Sequence, residues 1–333
     1  MELGGIHHVT AVTAHAARNL AFYTRTLGMR LVKRTVNQDD VTAYHLFYGD
    51  ATGTAGSDLT FFDWPYAAER HHGPGTVVRT MLRVTGREAL EWWAARLSHD
   101  GIAHDGIVEV YGRAVLPFAD FEGQALAFVD DGGVGGGTPW TQSDVPSEHG
   151  VRGLGPVLLS ATALDPTARL LRDILNFREA GSYEVSAAVD AASGAPSTNA
   201  TRPSATLPVH VFETGPGGPA AEVHVVVDPV SPRGRVGRGG VHHVAFRTTS
   251  AETHEAWHER LVSARVGVTP VIDRYYFRSL YFREPGGVLF EIATDGPGFA
   301  VDEPLDHLGD QLSLPPFLEG RRAEIEAGLT PLS

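Results

Sequence analysis

Cysteine is absent from this chain of 333 residues, and its absence excludes disulfide frameworks, thiolate metal sites and a cysteine nucleophile. Any metal would therefore have to be bound by histidine and carboxylate side chains. Clustered positive charge is also lacking, since the net charge is −13 and no dense run of Lys or Arg occurs. Because contact with a phosphate backbone needs clustered cations, we expect no nucleic-acid partner.

Targeting signals and long apolar runs are missing as well. The first residues, Met1-Glu2-Leu3-Gly4-Gly5, lead directly into a strand pattern, without a basic region or an apolar signal core. No apolar run is long enough to span a bilayer. We therefore expect a cytoplasmic protein that does not bind a membrane.

A repeated motif is the most informative feature that is present. Gly-Ile-His-His-Val at residues 5–9 returns as Gly-Val-His-His-Val at residues 240–244, and the second copy is followed by Leu-Phe-Glu-Ile at residues 289–292. Around these motifs, one order of elements, a strand, a helix and three further strands, recurs four times. The sequence therefore predicts an α+β fold of four βαβββ modules. We expect curved antiparallel sheets, paired side by side into cups that have their helices outside.

Helical spacing of apolar residues supports one helix in each module. The predicted helices cover residues 16–27, 88–97, 166–175 and 251–262. In module 3 only the strands at 155–162 and 221–227 are recognisable, because residues 186–205 are rich in Ala, Ser, Pro and Thr and are typical of a mobile loop. A short amphipathic helix is predicted at 318–329.

Domain boundaries follow from the glycine-rich stretch at 131–137, which is typical of a linker. We predict an N-terminal domain of modules 1 and 2 at residues 1–140, a C-terminal domain of modules 3 and 4 at 150–300, and a tail at 301–333.

Alternation along each strand predicts which side chains face into a cup, since successive side chains point to opposite faces. If the apolar residues flanking each candidate pack under the helices, then four side chains face inward: His8, His243, Glu291 and Tyr281. Thr10 shares the face of His8. An unpaired buried carboxylate is costly, so Glu291 needs either a metal or an arginine, and Arg274, Arg278 and Arg283 are candidates for the latter. We favour a metal bound by His8, His243 and Glu291.

The chain resembles the vicinal oxygen chelate superfamily (glyoxalases and extradiol dioxygenases), and more closely its ring-cleaving dioxygenases of the para-hydroquinone type. The resemblance extends over essentially the whole chain. Its matching stretches are Ile-His-His-Val-Thr at 6–10, Phe-Tyr-Thr-Arg-Thr-Leu-Gly at 22–28, Leu-Val-Lys-Arg-Thr-Val-Asn at 31–37, Tyr-His-Leu-Phe-Tyr at 44–48, and the more specific segment 273–291.

This resemblance implies a mononuclear Fe(II), with Mn(II) as an alternative, bound by His8, His243 and Glu291. It also implies that the first and last modules meet at the metal, and that the partners are a small aromatic diol and O2. It further implies that Thr10, His242, Arg274 and Tyr281 surround the substrate. Tyr281 is the candidate acid or hydrogen-bond donor, while Arg274 and His242 would steady the distal hydroxyl.

Two alternatives remain open at this stage. A glyoxalase-like isomerase or thiol transferase would need a fourth protein ligand, and the aligned position, which we assign to Phe61, cannot supply one. A metal-free small-molecule binding protein of the same fold would have no need of inward-facing His, His and Glu. The sequence does not distinguish hydroquinone from catechol substrates, and it leaves open whether the chain forms a homo-oligomer.

Overall fold

The computed structural model describes residues 1–186 and 206–332. Module 1 consists of one helix and four strands: β1 (Ile6–Thr13), α1 (Ala16–Ala21), β2 (Arg30–Asn37), β3 (Asp40–Gly49) and β4 (Asp58–Asp63). Module 2 repeats this order: β5 (Thr76–Val84), α2 (Arg87–His99), β6 (Val108–Val110), β7 (Arg113–Ala119) and β8 (Ala125–Asp130).

The second half of the chain provides two further modules. Module 3 consists of β9 (Gly153–Ala161), α3 (Leu164–Arg169), β10 (Arg178–Ser186), β11 (Thr206–Glu213) and β12 (Glu222–Val227). Module 4 consists of β13 (Gly240–Thr248), α4 (Ala251–Ser263), β14 (Ile272–Asp273), β15 (Arg278–Arg283) and β16 (Leu289–Thr294). The predicted helix of the tail is in fact two short helices, α5 (Pro316–Glu319) and α6 (Arg322–Gly328).

Two eight-stranded sheets contain all sixteen of the described strands. One has the order β14-β15-β16-β13-β1-β4-β3-β2, so that it joins module 4 to module 1, and the other joins module 3 to module 2. The modules meet through antiparallel pairs, β1 with β13 and β5 with β9, whereas the first and last strands of each module run parallel. The sheets are therefore mixed. Each combines a module from either half of the chain, and the domain boundaries at 140 and 150 stay a prediction.

The helices of modules 1 and 3 share an irregular last turn. After six residues each continues as one π-helical segment, Phe22–Thr26 and Leu170–Ile174, before ending at a residue with positive φ, Gly28 or Asn176. A side chain on Gly28 would collide with Val145, because an added Cβ would lie 2.6 Å from Val145 Cγ2. The glycine that follows this helix is thus required by both its conformation and its packing.

Two strands of module 3 were not predicted. Strand β10 alternates exposed and half-buried residues and has few apolar side chains, and β11 contains Pro208, which is typical of an edge strand and weakens a strand prediction. They pair with each other at the edge of their sheet. Apart from Ser186, which ends β10, the predicted mobile loop at 186–205 lies outside the described residues.

The core lies between the sheets and their helices. The residues predicted to pack under helices in modules 1 and 4 are fully buried in one cluster with the α4 residues Trp257 and Leu261: Val9, Ala11, Val244, Phe246, Leu280, Phe282, Phe290 and Ile292. This confirms the predicted strand parity, and it leaves the alternate residues of the same strands on the concave face. No helix in the described part of the chain is long and apolar enough to cross a membrane.

Candidate metal centre

Three side chains from modules 1 and 4 converge on the concave face of the first sheet. His8 lies on β1, His243 on the adjacent strand β13, and Glu291 on β16, where it pairs with Ala245. All three are buried, and Glu291 is completely inaccessible. The parallel pairing of β13 with β16 brings the carboxylate beside the histidine, while the antiparallel pairing of β1 with β13 brings the two histidines together.

The ligand atoms form a nearly equilateral triangle. His8 Nε2 lies 3.2 Å from His243 Nε2 and 3.2 Å from Glu291 Oε2, and His243 Nε2 lies 3.0 Å from the same oxygen. A six-coordinate ion with bonds of about 2.1 Å separates neighbouring ligand atoms by about 3 Å. The triangle therefore has the dimensions of one face of an octahedral site, and within the described residues these three form the group able to hold a metal ion.

None of the three candidate arginines forms an ion pair with Glu291 in the described part of the chain. Arg274 pairs with Asp39, Arg283 donates to the Gly287 carbonyl, and Arg278 is exposed on β15. Glu291 Oε2 instead approaches the two imidazoles, and neither of its oxygens accepts a well-formed hydrogen bond. A buried carboxylate without hydrogen bonds is costly, and a cation at the centre of the triangle would remove that cost.

The protonation states suit metal ligands. Burial alone would raise the pKa of the Glu291 carboxyl, but the neighbouring His8 and His243 outweigh this effect and hold the pKa well below its usual range. Burial lowers the pKa of His243, so its imidazole is neutral at pH 7. A carboxylate and neutral imidazoles are the forms that bind divalent metals.

A second histidine stands behind each ligand histidine. His7 Nε2 donates to the Thr294 carbonyl over 3.1 Å, and burial lowers the pKa of His7 to about 3, so that its Nδ1 has a lone pair. His7 Nδ1 lies 2.9 Å from His8 Nδ1 and must accept a hydrogen bond from His8 Nδ1–H. With the proton on Nδ1, Nε2 is the nitrogen of His8 that can bind a metal, and it is the atom that faces Glu291.

Module 4 repeats this arrangement. His242 Nδ1 lies 2.8 Å from His243 Nδ1, and burial lowers the pKa of His242 to about 3. The ring of His242 packs against Phe62 and Trp64, with ring centres 5.5 and 5.6 Å away. In each His-His pair of the sequence, the second histidine faces the metal site and the first is hydrogen-bonded to it from behind. Strand parity alone does not predict this hydrogen bond.

The position of a fourth ligand differs from the sequence alignment. Glu291 lies two residues beyond Leu289, the partner of His243, and the equivalent residue two beyond Asp58, the partner of His8, is Thr60. Our assignment of this position to Phe61 was wrong by one residue, because Phe61 packs with Tyr23 in the core. Thr60 supplies no carboxylate or amide, so three protein ligands remain.

A small cavity adjoins the two ligand histidines. Its volume is about 40 Å³, and its wall includes Arg274 and Tyr281. Aromatic side chains form much of the rest, together with the turn between β2 and β3: His45, Phe47, Phe62, Tyr276, Phe277 and residues 37–39. Thr10 and His242 are not part of this described lining. Thr10 Oγ1 instead accepts a hydrogen bond from Thr60 Oγ1 over 2.8 Å.

Arg274 and Tyr281 form one unit at this wall. The guanidinium of Arg274 lies 5.4 Å from the centre of the Tyr281 ring, and it makes two hydrogen bonds to Asp39, of 3.1 and 2.8 Å. Burial raises the pKa of Tyr281 far above its usual value, and the charge of Glu291 adds to this, so the phenol keeps its proton at neutral pH. The unit therefore presents a cation and a hydrogen-bond donor to the cavity.

Comparison with known proteins agrees with this architecture. Residues 5–128 and 153–292 match the Glyoxalase/Bleomycin resistance protein/Dioxygenase superfamily. A Bacillus subtilis protein named "Putative ring-cleaving dioxygenase MhqA" is 45% identical over 333 residues, which cover 100% of both chains. The "Chlorohydroquinone/hydroquinone 1,2-dioxygenase" of Sphingobium indicum is 28% identical over 331 residues, which cover 96% of this chain and 94% of that protein.

A crystal structure with a similar fold is that of a "putative dioxygenase" from Bacillus subtilis, at 34% identity, a TM-score of 0.86, and coverage of 100% of this chain and 98% of the other. Full-length similarity of this degree establishes the family. The chain belongs to the Glyoxalase/Bleomycin resistance protein/Dioxygenase superfamily, among relatives that are named as ring-cleaving dioxygenases.

Proposed function

We propose that this protein is an Fe(II)-dependent ring-cleaving dioxygenase that uses O2 to open a small aromatic diol of the hydroquinone or catechol type. The observation that carries the proposal is the triangle of His8, His243 and Glu291, whose ligand atoms lie 3.0–3.2 Å apart. Two histidines and one carboxylate on one face of a metal leave other positions free, an arrangement typical of non-haem Fe(II) oxygenases. Mn(II) is the alternative metal.

With only three protein ligands, His8, His243 and Glu291, a metal at this site would have free positions at which substrate could bind. When bound, an iron ion would acidify a phenolic hydroxyl and supply the redox chemistry that O2 requires. The two ligand histidines line the cavity, so the open side of the site faces the space that a ring would enter. The aromatic wall of Phe47, Phe62 and Phe277 suits a flat apolar ring.

Tyr281 and Arg274 are the residues that we assign to the chemistry at the cavity. Tyr281 keeps its phenolic proton at neutral pH and can donate it, or a hydrogen bond, to an oxygen in the cavity. Arg274 supplies a fixed positive charge that would stabilise an anionic intermediate. We assign His242 and Thr10 to positioning, since His242 supports His243 and Thr10 is hydrogen-bonded to Thr60.

The wall must move to admit a ring. A cavity of about 40 Å³ is too small, because a pocket that holds benzene has a volume of about 150 Å³. Asp39 is the exposed partner of the ion pair with Arg274, having 72% of its side chain accessible, and an exposed ion pair contributes little stability. Separation of Asp39 from Arg274 would therefore open this wall at little cost.

The other two activities have less support. An isomerase of the glyoxalase type would use a fourth ligand, and Thr60 occupies that position. A metal-free binding protein would gain nothing from three buried ligand atoms converging on one point, since such an arrangement is unfavourable without a cation.

Oxygen uptake is the experiment that tests the proposal. Protein purified anaerobically and reconstituted with Fe(II) is mixed with unsubstituted, methyl- and chloro-substituted hydroquinones and catechols, and O2 consumption is recorded together with the loss of the ring absorbance. The proposal predicts stoichiometric O2 uptake with at least one diol, which His8→Ala abolishes. Metal-loaded protein that consumes no O2 with any of these diols would contradict it.

A further inference from the structure

We propose that His45 contacts the substrate, and that its Nδ1 accepts a hydrogen bond from the ring hydroxyl that the metal does not bind. This inference rests on the proposed function and adds a residue to it. His45 lies on β3, and it lines the same cavity as His8 and His243. Its strand partner is Phe62, and strand alternation places His45 and Phe47 together on the concave face.

Two aromatic rings hold the imidazole of His45 in place. The centre of its ring lies 3.9 Å from that of Phe47 and 4.4 Å from that of Phe62. A side chain packed against two rings in this way has little rotational freedom, so a ligand that uses it loses little entropy in ordering it.

A chain of hydrogen bonds fixes which nitrogen of His45 carries the proton. Thr60 Oγ1 donates its single hydrogen to Thr10 Oγ1 over 2.8 Å. His45 Nε2 lies 2.9 Å from Thr60 Oγ1 and must therefore donate to that oxygen. Burial lowers the pKa of His45 well below its usual value, so the ring is neutral and Nδ1 has the lone pair.

The lone pair of Nδ1 is available to a ligand. Within residues 1–186 and 206–332, no group is hydrogen-bonded to His45 Nδ1, and this atom is not among the fully buried unpaired atoms. Two other acceptors of the cavity wall are engaged, since Asn37 Oδ1 accepts from the Asp39 N–H and the Asp39 carboxylate holds Arg274. Arg274 itself has only donors.

A diol needs such an acceptor. If one hydroxyl binds the metal, then the other enters an aromatic cavity, where a hydroxyl without a partner is costly. A neutral imidazole that can only accept at Nδ1 matches this hydroxyl and does not match a methyl ether or a hydrogen at the same ring position. His45 would therefore favour diols over simple phenols.

The test is a binding cycle with two ligands and two proteins. Hydroquinone and phenol are titrated anaerobically into the metal-loaded wild type and into His45→Phe, a flat replacement that preserves packing against Phe47 and Phe62. We expect the wild type to bind hydroquinone about five- to tenfold more tightly than phenol, as for the gain of one hydrogen bond. In His45→Phe the two affinities should agree to within about twofold. Repeating the cycle with catechol identifies whether a hydroxyl in the ortho or the para position forms the hydrogen bond to His45.

Two further variants separate contact from packing. Thr60→Val removes the acceptor of the Nε2 proton and frees the other tautomer, so it should weaken the preference for hydroquinone, while Thr60→Ser should restore it. His99→Phe, at the exposed end of α2, is the matched control and should change nothing.

The outcomes distinguish this inference from the proposed function. A His45→Phe protein that loses affinity for hydroquinone and phenol equally, keeps the full preference, or loses its metal would overturn the role of His45 alone. A wild type that binds neither ligand and consumes no O2 with any diol would overturn the proposed function, and the role of His45 with it.

Discussion

Replacing His7 with phenylalanine should weaken metal binding, although His7 is not a ligand. In the structure, the Thr294 carbonyl accepts a hydrogen bond from His7 Nε2–H, and His7 Nδ1 in turn accepts a hydrogen bond from His8 Nδ1–H. This chain keeps the lone pair of His8 Nε2 directed at the metal position. In His7→Phe the Nδ1 proton of His8 loses its buried acceptor, and the imidazole loses the partner that fixes its tautomer and its orientation.

The expected magnitude follows from the loss of one buried partner of a ligand. Such losses cost about 10- to 100-fold in metal affinity, or about 1.4–2.7 kcal/mol. Phenylalanine has a similar shape and would still pack against Phe277, whose ring centre lies 5.4 Å from that of His7, so the fold should be retained. His7→Gln, whose amide can accept and donate, should recover part of the affinity.

The assay is an anaerobic titration with Fe(II) and, in parallel, Mn(II), by competition with a chelator of known affinity. His254→Phe is the matched control, because His254 is also a buried histidine that is hydrogen-bonded to a β16 carbonyl, that of Ile292, but it contacts no ligand side chain among the described residues. If His7→Phe binds metal as tightly as the wild type, or if His254→Phe weakens binding equally, then the tautomer argument is wrong.

Three further predictions concern the cavity and the second sheet. Tyr281→Phe should lower turnover by about 100-fold or more with metal content unchanged, because it removes the proton donor, and loss of iron would contradict this role. Asp39→Asn should speed ligand association, measured by stopped flow, because it releases Arg274 from the wall, and slower association would refute the opening that we propose. Burial alone would raise the pKa of Glu222, but His224 and Arg113 lower it from 4.5 to about 2. The charged form therefore stabilises the fold above pH 4.5, and this contribution disappears as the pH falls towards 2. Glu222→Gln should therefore lower the free energy of unfolding by about 3 kcal/mol at pH 7, measured by urea denaturation, and the difference from the wild type should shrink below pH 4.5; a difference independent of pH would contradict this.

Strand alternation made much of the site predictable from the sequence. His8, His243, Glu291 and Tyr281 each adjoin an apolar residue that packs under a helix, for example Val9, Val244 and Phe290. A period-two pattern with one helix-facing side fixes the direction of every side chain in the strand. Pairing of modules 1 and 4 then brings His8, His243 and Glu291 together on the concave face.

Register and long-range contacts could not be predicted in the same way. A shift of one residue exchanged Thr60 for Phe61, because every residue of β4 is buried, so that burial does not indicate the register. The sequence does not single out His45, since its neighbours on β3, Tyr44 and Leu46, are both largely apolar; its alternation with Phe47 is the signal that places it on the concave face. The pairing of Asp39 with Arg274 joins the β2–β3 turn to module 4, and no local pattern encodes such a contact.

The most direct test of the account is the metal content of four proteins prepared side by side: the wild type, His8→Ala, His243→Ala and Glu291→Ala. After anaerobic reconstitution with Fe(II) and removal of free metal, elemental analysis should find about one iron per chain in the wild type and almost none in the three variants. Bound metal should also raise the thermal midpoint of the wild type alone. A wild type without metal, or variants that retain iron at the wild-type level, would contradict the claim that these three side chains form the metal centre.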